Sequence, residues 1–465
     1  MRTLLTSLYA RAVFFLLTLV FASSFRHGSG YFAGNYSYYV SPAGDVNGDG
    51  YADILMSAFT SEFGVSRDGK VFLYYGTGSG ITPAPVWSGT SSQDASNFGE
   101  AVANAGDVNG DGFADIIVGA PRYSNGEENE GAVFVYYGSP GGLPKQPSWI
   151  AEGQQANAFF GTSVSGGGDV NKDGYSDVVV GAHFYDGGET NEGRVFVYLG
   201  SENGLAKTAI WTAESNQVGA NFGKSVAIAG DVNKDGYADV LVGAPNFDNG
   251  QNNEGRAFLY LGSNMGLTQS PAWTAESNQA DANMGHSLAF AGDINGDSFS
   301  DILIGANRYD EGQSNVGKIY VYMGASGGMS IYPDWTYTGN IMDGNMGIAV
   351  APAGDINGDG FGEIIVGSFG SNAQNAKGLA YVFAGSAKGM TNQVTLIAVQ
   401  NNPQAMVGQS VATAGDINGD GYADVMAGVI WDTQNAGGPG KVMLITGSSK
   451  GLKLGSDKEV IPSKP

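Results

Sequence analysis

A nine-residue acidic loop occurs seven times along this chain at almost constant spacing. The second copy spans residues 107–115 and reads Asp-Val-Asn-Gly-Asp-Gly-Phe-Ala-Asp. The first six loop starts are 62 residues apart and the last step is 61. The seven loops start at Asp45, Asp107, Asp169, Asp231, Asp293, Asp355 and Asp416. A period this strict indicates repeated supersecondary units that bury their cores against their neighbours.

Each unit contains four short β-prone runs separated by turns rich in Gly, Asn and Asp. In the fourth unit these runs cover residues 224–228, 240–245, 256–261 and 272–275. Four such runs in series predict an antiparallel meander. Seven four-stranded antiparallel sheets arranged radially form an all-β, seven-bladed β-propeller. The alternative is a linear solenoid, but a solenoid needs polar caps, and neither terminal unit resembles one.

The first 24 residues have a different composition from the repeats. Arg2 and Arg11 precede the apolar run of residues 12–21, which is followed by Ala-Ser-Ser at 22–24. This pattern predicts a secretory signal peptide at 1–24 and a propeller at 25–465. A membrane anchor is the alternative, although ten apolar residues span a bilayer poorly. We therefore expect a soluble mature chain outside the cell or in the periplasm, with cell-surface association left open.

The acidic loops have the chemistry of a calcium site. Positions 1, 3, 5 and 9 carry side-chain oxygens, which hard divalent cations prefer, and the usual Gly at position 6 permits a positive φ. Clustered carboxylates repel one another unless a cation lies between them. The alternative is an Asp/Asn-Gly turn that only caps a hairpin. An EF-hand is excluded because Val118 stands at position 12, where that loop needs Glu, and because the flanks are β-prone.

We predict up to seven structural Ca²⁺ ions. The predicted ligands are Asp45, Asn47, Asp49, Asp53, Asp107, Asn109, Asp111, Asp115, Asp169, Asn171, Asp173, Asp177, Asp231, Asn233, Asp235, Asp239, Asp293, Asn295, Asp297, Asp301, Asp355, Asn357, Asp359, Glu363, Asp416, Asn418, Asp420 and Asp424. Two loops depart from the pattern. Ser298 replaces the glycine in unit five, which predicts a strained turn, and Glu363 adds a methylene to the ninth position of unit six.

The formal net charge of −23 disfavours nucleic acids and anionic membranes as partners. The seven loops account for 21 of the 45 acidic residues. Loss of Arg2 and Arg11 with the signal peptide gives −25, and seven divalent ions would bring that to −11. The acidity is therefore mostly metal-binding chemistry. The chain has no cysteine, so disulfides cannot stabilise it.

Two further landmarks recur with the loops. Phe-Gly stands at residues 98–99, 160–161 and 222–223, and Gly-Ala-Pro stands at 119–121 and 243–245. With the acidic loops, these motifs resemble FG-GAP repeats, the blades of the integrin α-subunit propeller and its secreted bacterial relatives, over residues 35–452. Units five and six have Met-Gly at the first landmark, and His183 and Asn307 replace the proline of the second.

The resemblance also bears on how the ring closes. Lys458 stands where the other units have the tryptophan of their fourth strand. Propellers of this kind are often completed by the other end of the chain. We therefore predict that residues 30–33 supply the missing strand of blade seven.

The loops between strands 2 and 3 are the predicted ligand surface. Up-and-down strand order puts them on the face opposite the acidic loops, together with the connections between blades. In integrins the corresponding face carries ligand recognition, so the resemblance implies the same location here. The candidates are Arg122, Tyr123, His183, Tyr185, Asp186, Phe247, Asp248, Arg308, Tyr309, Asp310 and Trp431. The alternative is that the periodic aromatic residues among them pack between blades.

Signals of catalysis are sparse. The three histidines, His27, His183 and His286, form no metal-binding spacing. Both G-x-S-x-G matches, at 324–328 and 447–451, fall in the recurring 3–4 turn, whereas a nucleophile elbow needs a strand-to-helix step. We predict no catalytic residue, and keep His183 as the one position where an imidazole could act as a base.

The predicted function is recognition of a protein or glycan in cell adhesion by a monomeric, calcium-stabilised propeller. Two alternatives stay open. One is a calcium-dependent polysaccharide lyase or hydrolase on the same scaffold. The other is a structural module of an envelope assembly.

Overall fold

The computed structural model describes residues 30–31, 37–59, 69–370, 378–397, 405–431 and 441–454. The predicted signal peptide and Lys458 lie outside these ranges. The described residues form seven four-stranded antiparallel sheets and one small two-stranded hairpin, and they contain no helix. This arrangement confirms the all-β prediction with four strands in each blade.

The strands follow the predicted period. Blade one contains β2 (Ser37–Gly44), β3 (Asp53–Phe59), β4 (Lys70–Tyr74) and β7 (Trp87–Gly89), with the hairpin β5 (Gly76–Thr77) and β6 (Gly80–Ile81) before β7. Blade two contains β8 (Ala101–Gly106), β9 (Asp115–Ala120), β10 (Ala132–Tyr136) and β11 (Trp149–Glu152). Blade three contains β12 (Ser163–Gly168), β13 (Asp177–Ala182), β14 (Arg194–Tyr198) and β15 (Trp211–Glu214). Blade four contains β16 (Ser225–Gly230), β17 (Asp239–Ala244), β18 (Arg256–Tyr260) and β19 (Trp273–Glu276).

The last three blades repeat this order. Blade five contains β20 (Met284–Gly292), β21 (Asp301–Ala306), β22 (Lys318–Tyr322) and β23 (Trp335–Thr338). Blade six contains β24 (Met346–Gly354), β25 (Glu363–Ser368), β26 (Leu379–Phe383) and β27 (Val394–Ile397). Blade seven contains β28 (Ala405–Gly415), β29 (Asp424–Trp431), β30 (Lys441–Ile445) and, from the start of the chain, β1 (Gly30–Tyr31).

The blades close into a ring. The first strand of each blade is innermost and contacts the first strand of the next blade, and β28 of blade seven contacts β2 of blade one. A hydrophobic cluster fills each of the seven junctions between neighbouring blades. Both faces of each sheet are therefore covered. This explains why the second strands, such as β9 and β17, are buried along their whole length and apolar after their first residue, an aspartate.

Blade seven is completed by the start of the chain, as predicted. Gly30 and Tyr31 pair antiparallel with Leu444 and Met443 of β30. Phe32 and Ala33, the rest of the predicted segment, lie outside the described residues. Because the outer strand and the inner strands of this blade come from opposite ends of the chain, their pairing ties the ring shut.

The periodic tryptophans join neighbouring blades at the rim. The indole N–H of Trp211 donates to the Thr268 carbonyl of blade four at 3.1 Å, and its ring lies edge-to-face on Tyr260 with centroids 4.8 Å apart. Equivalent contacts place Trp87 on Tyr136 and Trp149 on Tyr198. Edge-to-face aromatic pairs contribute about 0.5–1.5 kcal/mol beyond the area they bury. Each tryptophan thus holds an outer strand to the next blade.

The glycines of the landmarks permit close approach between blades. A Cβ on Gly119 would lie 2.0 Å from the carbonyl oxygen of Gly161, and one on Gly131 would lie 2.1 Å from that of Phe160. No side chain fits at such distances. The Phe-Gly pair of one blade therefore packs directly on the backbone of the preceding blade.

Candidate functional site

Hydrogen bonds show which connections share a face. The Gly262 N–H, at the start of a 3–4 turn, donates to the Asp239 carboxylate at the end of an acidic loop. On the opposite side, the Gln217 side chain bonds the backbone of Asp248 in both directions, at 2.7 and 2.8 Å, and so joins a connection between blades to a 2–3 loop. We call these two surfaces the acidic-loop face and the mouth face.

The acidic loops fold around their own carboxylates. In blade four, the N–H groups of Asp235 and Gly236 donate to the Asp231 carboxylate at 3.0 and 2.7 Å. The Tyr237 N–H donates to Asp235 at 3.0 Å. The ninth residue, Asp239, is 0% exposed and accepts hydrogen bonds from the backbone of Val232 and Gly262. The ninth acid therefore anchors both the loop and the neighbouring turn.

The buried ninth acids have strongly shifted pKa values. Burial raises the pKa of Asp239 to about 7, two backbone hydrogen bonds oppose this shift, and the charges of Asp235 and Asp231 add to it. The same causes, with burial first, raise the pKa to about 7 at Asp53, Asp115, Asp177, Asp301, Glu363 and Asp424. Each loop is thus a place where negative charges crowd one another.

The loop residues fit a divalent cation. The side chains of Asp231, Asn233, Asp235 and Asp239 offer oxygen ligands within nine residues. A bound cation would compensate the burial that chiefly raises the pKa of Asp239 and the smaller repulsion from Asp235 and Asp231. The described residues contain no three acidic, histidine or cysteine side chains already converged into an ion cage. The fit therefore rests on the donor atoms and their crowding.

The acidic loops also connect the blades. In all seven loops the carbonyl of the first Asp accepts a hydrogen bond of 2.9–3.2 Å from the backbone N–H of the adjacent blade. The donors are Ala52, Ala114, Ser176, Ala238, Ser300, Gly362 and Ala423. The bond from Ala52 to Asp416 closes this circle between blades one and seven. Anything that orders a loop therefore also orders a junction.

The two unusual loops differ as the sequence suggested. Ser298 has a φ of 70°, in the left-handed region that glycine adopts in the other loops, and its N–H still donates to Asp293 at 2.8 Å. Glu363 is buried and accepts hydrogen bonds from the Ile356 N–H and from the Asn357 side chain. In blades one to five this Asn bonds the fifth-position Asp instead, as Asn233 does to Asp235. In blade seven, which keeps Asp at the ninth position, Asn418 also bonds the ninth acid, Asp424, at 3.5 Å, so the extra methylene of Glu363 is not required for this change of partner.

On the mouth face, the periodic aromatic residues pack against third strands. Tyr123, Tyr185 and Phe247 lie edge-to-face on Phe134, Phe196 and Phe258, with centroids 5.6–6.1 Å apart. The cationic groups of Arg194, Arg256 and Lys318 lie 4.0–4.5 Å from the centroids of Tyr185, Phe247 and Tyr309. These four aromatic side chains are only partly exposed.

The three candidate aspartates cap their own loops. Asp186 accepts a hydrogen bond of 2.6 Å from the Asn191 N–H. Asp248 and Asp310 make the same bond with Asn253 and Asn315. These carboxylates remain exposed while they shape the 2–3 loops.

The other candidates fall into two groups. Arg122 and His183 line one cavity, described below, whereas Arg308 is exposed and is not among the residues lining it. Trp431 is the last residue of β29, and its side chain lies outside the described residues.

The mouth face has a polar cavity of about 400 Å³ at the inner ends of the blades, which we call the axial cavity. Arg122, His183, Phe184 and Pro121 line it from the 2–3 loops. Only Arg122 and His183 were among the sequence-based candidates. Pro121 and Phe184 were not, and neither were the six further lining residues, Tyr39, Asn97, Glu100, Phe159, Lys224 and Gln409. Five blades contribute, so no single repeat could reveal the site.

The missed residues do carry a signal, because they vary where the repeat is otherwise regular. The position after the Phe-Gly landmark is different in each of blades two to seven. It is occupied by Glu100, Thr162, Lys224, His286, Ile348 and Gln409. Three of these six residues line the axial cavity. Departure from the repeat, rather than the repeat itself, marks this site.

Electrostatic effects in the axial cavity are large. His183 is 7% exposed, and its Nδ1 has no hydrogen-bond partner among the described residues. Burial and the nearby Lys224 ammonium hold the pKa of His183 well below its usual value, so the imidazole is neutral at pH 7. Burial, and secondarily Glu100, raises the pKa of Tyr39 to about 12. The cavity combines two cations, Arg122 and Lys224, with the acid Glu100 and with neutral hydrogen-bonding groups.

Comparison with known families locates the repeats independently. The FG-GAP repeat family matches residues 38–74, 98–136, 160–198, 222–260 and 284–322. The FG-GAP-like repeat family matches residues 355–427. Together these matches cover more than half of the chain.

The chain is also similar to integrin alpha subunits. It is 37% identical to integrin alpha-5 of Xenopus laevis over 175 residues, which cover 36% of this chain and 16% of that protein. It is 34% identical to integrin alpha-8 of Gallus gallus over 221 residues, which cover 45% of this chain and 20% of that protein. The match spans at most a fifth of these two relatives.

Among solved structures, the Dos1 propeller aligns with 94% of this chain and 97% of its own, with 11% identity and a TM-score of 0.47. No stretch of the described residues forms a helix long and apolar enough to cross a membrane. With its repeats matched from blade one to blade seven, the chain belongs to the FG-GAP repeat family and is an integrin alpha-like β-propeller.

Proposed function

We propose that the chain is an extracellular, calcium-binding recognition module that holds a protein or glycan ligand on its mouth face, as in cell adhesion. The observation that carries this proposal is the contrast between the faces. The acidic-loop face repeats nearly the same residues seven times, whereas the axial cavity combines residues that differ from blade to blade. A few convergent polar groups in a concave site are typical of ligand binding.

The family and its relatives support the adhesive part of this proposal. Integrin alpha subunits are among the relatives of this chain, and the repeats that form its propeller match the FG-GAP repeat family. Because the match covers at most a fifth of those two proteins, the proposal concerns binding by the propeller alone.

Secretion and calcium binding support each other. Loops of this extracellular kind bind Ca²⁺ with a Kd of about 10⁻⁴–10⁻³ M, which only an extracellular calcium concentration satisfies. The predicted signal peptide at residues 1–24 would deliver the chain there. The first, third, fifth and ninth side chains of each loop would hold the ion. By ordering the loops, the ions would also stabilise the hydrogen bonds between blades.

One observation favours a second candidate, a polysaccharide lyase or hydrolase. The axial cavity brings together a neutral imidazole at His183, a phenol at Tyr39 and a carboxylate at Glu100, which could transfer protons. A recognition module needs none of these groups to transfer a proton, and it releases its ligand intact. An enzyme would use them for proton transfer and would release a shortened glycan.

Capture of partners would test the proposal. The mature chain is immobilised and exposed to cell-surface extracts and a panel of polysaccharides, in calcium and in chelator. Calcium-dependent retention of an intact protein or glycan supports recognition. Recovery of a shortened glycan supports the enzyme, and His183→Asn, which copies blade five, should then abolish the shortening. If nothing is retained in calcium, the recognition proposal is wrong.

A further inference from the structure

Blade three departs from the repeat at the axial cavity. Phe159 occupies a position where blades two, four, five and six have asparagine. In the adjoining 2–3 loop, His183 replaces the proline or asparagine of blades two, four and five, and Phe184 follows it. The three rings touch, with centroids 4.0–6.0 Å apart. Together they form an aromatic wall that blades two, four and five lack.

The backbone at Phe159 is unfavourable for a phenylalanine. Its φ is 55°, in the left-handed region, like the φ of Asn97, Asn221 and Asn283 at the same repeat position. Asparagine tolerates this conformation, whereas a bulky side chain is strained in it. Folding alone would favour asparagine here. Strain of this kind is commonly found where a side chain serves a ligand.

Two cations of the cavity are free to meet an anion. The Arg122 guanidinium lies 5.3 Å from the Phe159 ring centroid, at the edge of the aromatic wall. Among the described carboxylates, none forms an ion pair with Arg122 or Lys224. Glu100, the acid in the cavity, accepts a hydrogen bond of 2.8 Å from the Asn97 side chain; burial lowers the pKa of Lys224, and the charge of Glu100 only partly opposes that shift. Arg122 is exposed and Lys224 is half-buried, and two cations without an ion-pair partner at one concave site favour an anionic ligand.

We propose that the axial cavity binds a uronate residue of an acidic glycan. Arg122 and Lys224 would hold its carboxylate by charge-assisted hydrogen bonds. The C–H face of the sugar ring would pack on Phe159 and Phe184, where dispersion contacts are dense. The imidazole of His183 and the amide of Gln409, which both line the cavity, would meet its hydroxyl groups. This inference rests on the proposed function and specifies its ligand.

The shape of the site favours a sugar over an acidic peptide. A cavity of about 400 Å³ lies within the range of about 300–1,000 Å³ typical of small-ligand sites. An extended peptide gains much of its affinity by pairing with an exposed strand edge, whereas the residues lining this cavity offer side chains from five blades. Flat aromatic faces beside amide and imidazole groups match a ring that is apolar on one face and hydroxylated at its edge.

Calorimetric titration of the full mature chain with digalacturonate tests this inference, at one fixed calcium concentration. Digalactose serves as the control ligand without carboxylates, and triglutamate serves as the control ligand with carboxylates on a peptide. The expected result is binding of digalacturonate alone, weakened about tenfold or more by Arg122→Gln or Lys224→Gln, since each removes a charge-assisted bond. Phe159→Asn should weaken it similarly. The control Arg308→Gln, at the same position of blade five but outside the cavity, should change affinity less than twofold.

The outcomes separate this inference from the proposed function. Equal binding of digalactose, preferential binding of triglutamate, or the same loss in the Arg308→Gln control would overturn the uronate site. So would the absence of any digalacturonate binding. If the wild-type chain still retains a cell-surface partner in that case, the recognition proposal stands without the inference. If no partner is retained in calcium, both are wrong.

Discussion

The two faces of this propeller use the same seven-fold repeat in opposite ways. On the acidic-loop face each blade keeps an anchored acid such as Asp239 and a carbonyl bonded to the adjacent blade. On the mouth face the corresponding blade ends differ, and five blades combine in one cavity. The acidic loops make the same contacts in every blade, so their sequence is periodic. The residues that line the cavity would contact one ligand from several sides, so they differ from blade to blade.

Backbone strain separates the faces as well. Ser298 on the acidic-loop face and Phe159 on the mouth face both adopt a positive φ that suits another residue better. The serine lies in an exposed turn and keeps the hydrogen bond of the glycine it replaces. The phenylalanine instead adds an aromatic ring to a cavity. We therefore expect that replacing Ser298 by the unstrained glycine does no harm on the acidic-loop face. Replacing Phe159 by the unstrained asparagine should weaken ligand binding on the mouth face.

Removal of calcium should cause the largest loss of stability, because all seven acidic loops would lose their ion at once. The mouth face has no such loops and should be affected least. Seven ions with a Kd of about 10⁻⁴–10⁻³ M would stabilise the fold by roughly 10–20 kcal/mol at about 10 mM calcium. Scanning calorimetry in calcium and in chelator would measure the loss, with magnesium as the control ion. A melting temperature that does not respond to calcium would contradict the claim that calcium ions in the acidic loops stabilise the fold.

Substitution of the ninth acid should rank second, and should differ from substitution of the fifth. Asp239→Ala leaves the buried N–H groups of Val232 and Gly262 without an acceptor, which costs roughly 2–6 kcal/mol even in chelator. Asp235→Ala, in the same loop but exposed, should destabilise mainly in calcium. Denaturant midpoints followed by tryptophan fluorescence would check both variants. Equal losses in chelator would show that the ninth acid has no separate anchoring role.

On the mouth face, Phe159→Asn should stabilise the fold while impairing recognition. Asparagine suits a φ of 55°, so the gain should be about 1 kcal/mol. The matched reversal Asn221→Phe, at the same position of blade four, should lose a similar amount. Thermal unfolding of both variants would measure these changes. If Phe159→Asn destabilises, the ring contributes to packing and the inferred conflict between stability and binding is wrong.

The smallest expected effect belongs to Ser298→Gly, which should stabilise blade five by about 0.5–1 kcal/mol because glycine is unstrained at a φ of 70°. Gly174→Ser, at the same loop position of blade three, should destabilise by a similar amount, and a Cβ there would meet no atom within 4 Å. Calorimetry in calcium would resolve the pair. Changes of the same sign in both variants would contradict the argument from φ.

Periodicity was sufficient to predict the strands and the landmarks, because these features follow from every unit packing on the next. The closing segment at Gly30 was predicted from the resemblance to propellers that are completed by the other end of the chain. It could not decide whether Tyr185 faces a ligand or its own blade, since a residue repeated every 62 positions serves either purpose. In the structure Tyr185 packs on Phe196 beneath Arg194. The axial cavity escaped prediction because Glu100 and Lys224 come from different blades and meet only when the ring closes.

The most direct test of this account is the number of calcium ions bound by the chelator-treated chain in equilibrium dialysis. The account predicts about seven ions per chain, one for each loop that starts with Asp45 or its counterparts, and about six in the Asp235→Ala variant. A wild-type chain that binds no calcium, or a variant that binds as many ions as the wild type, would contradict it.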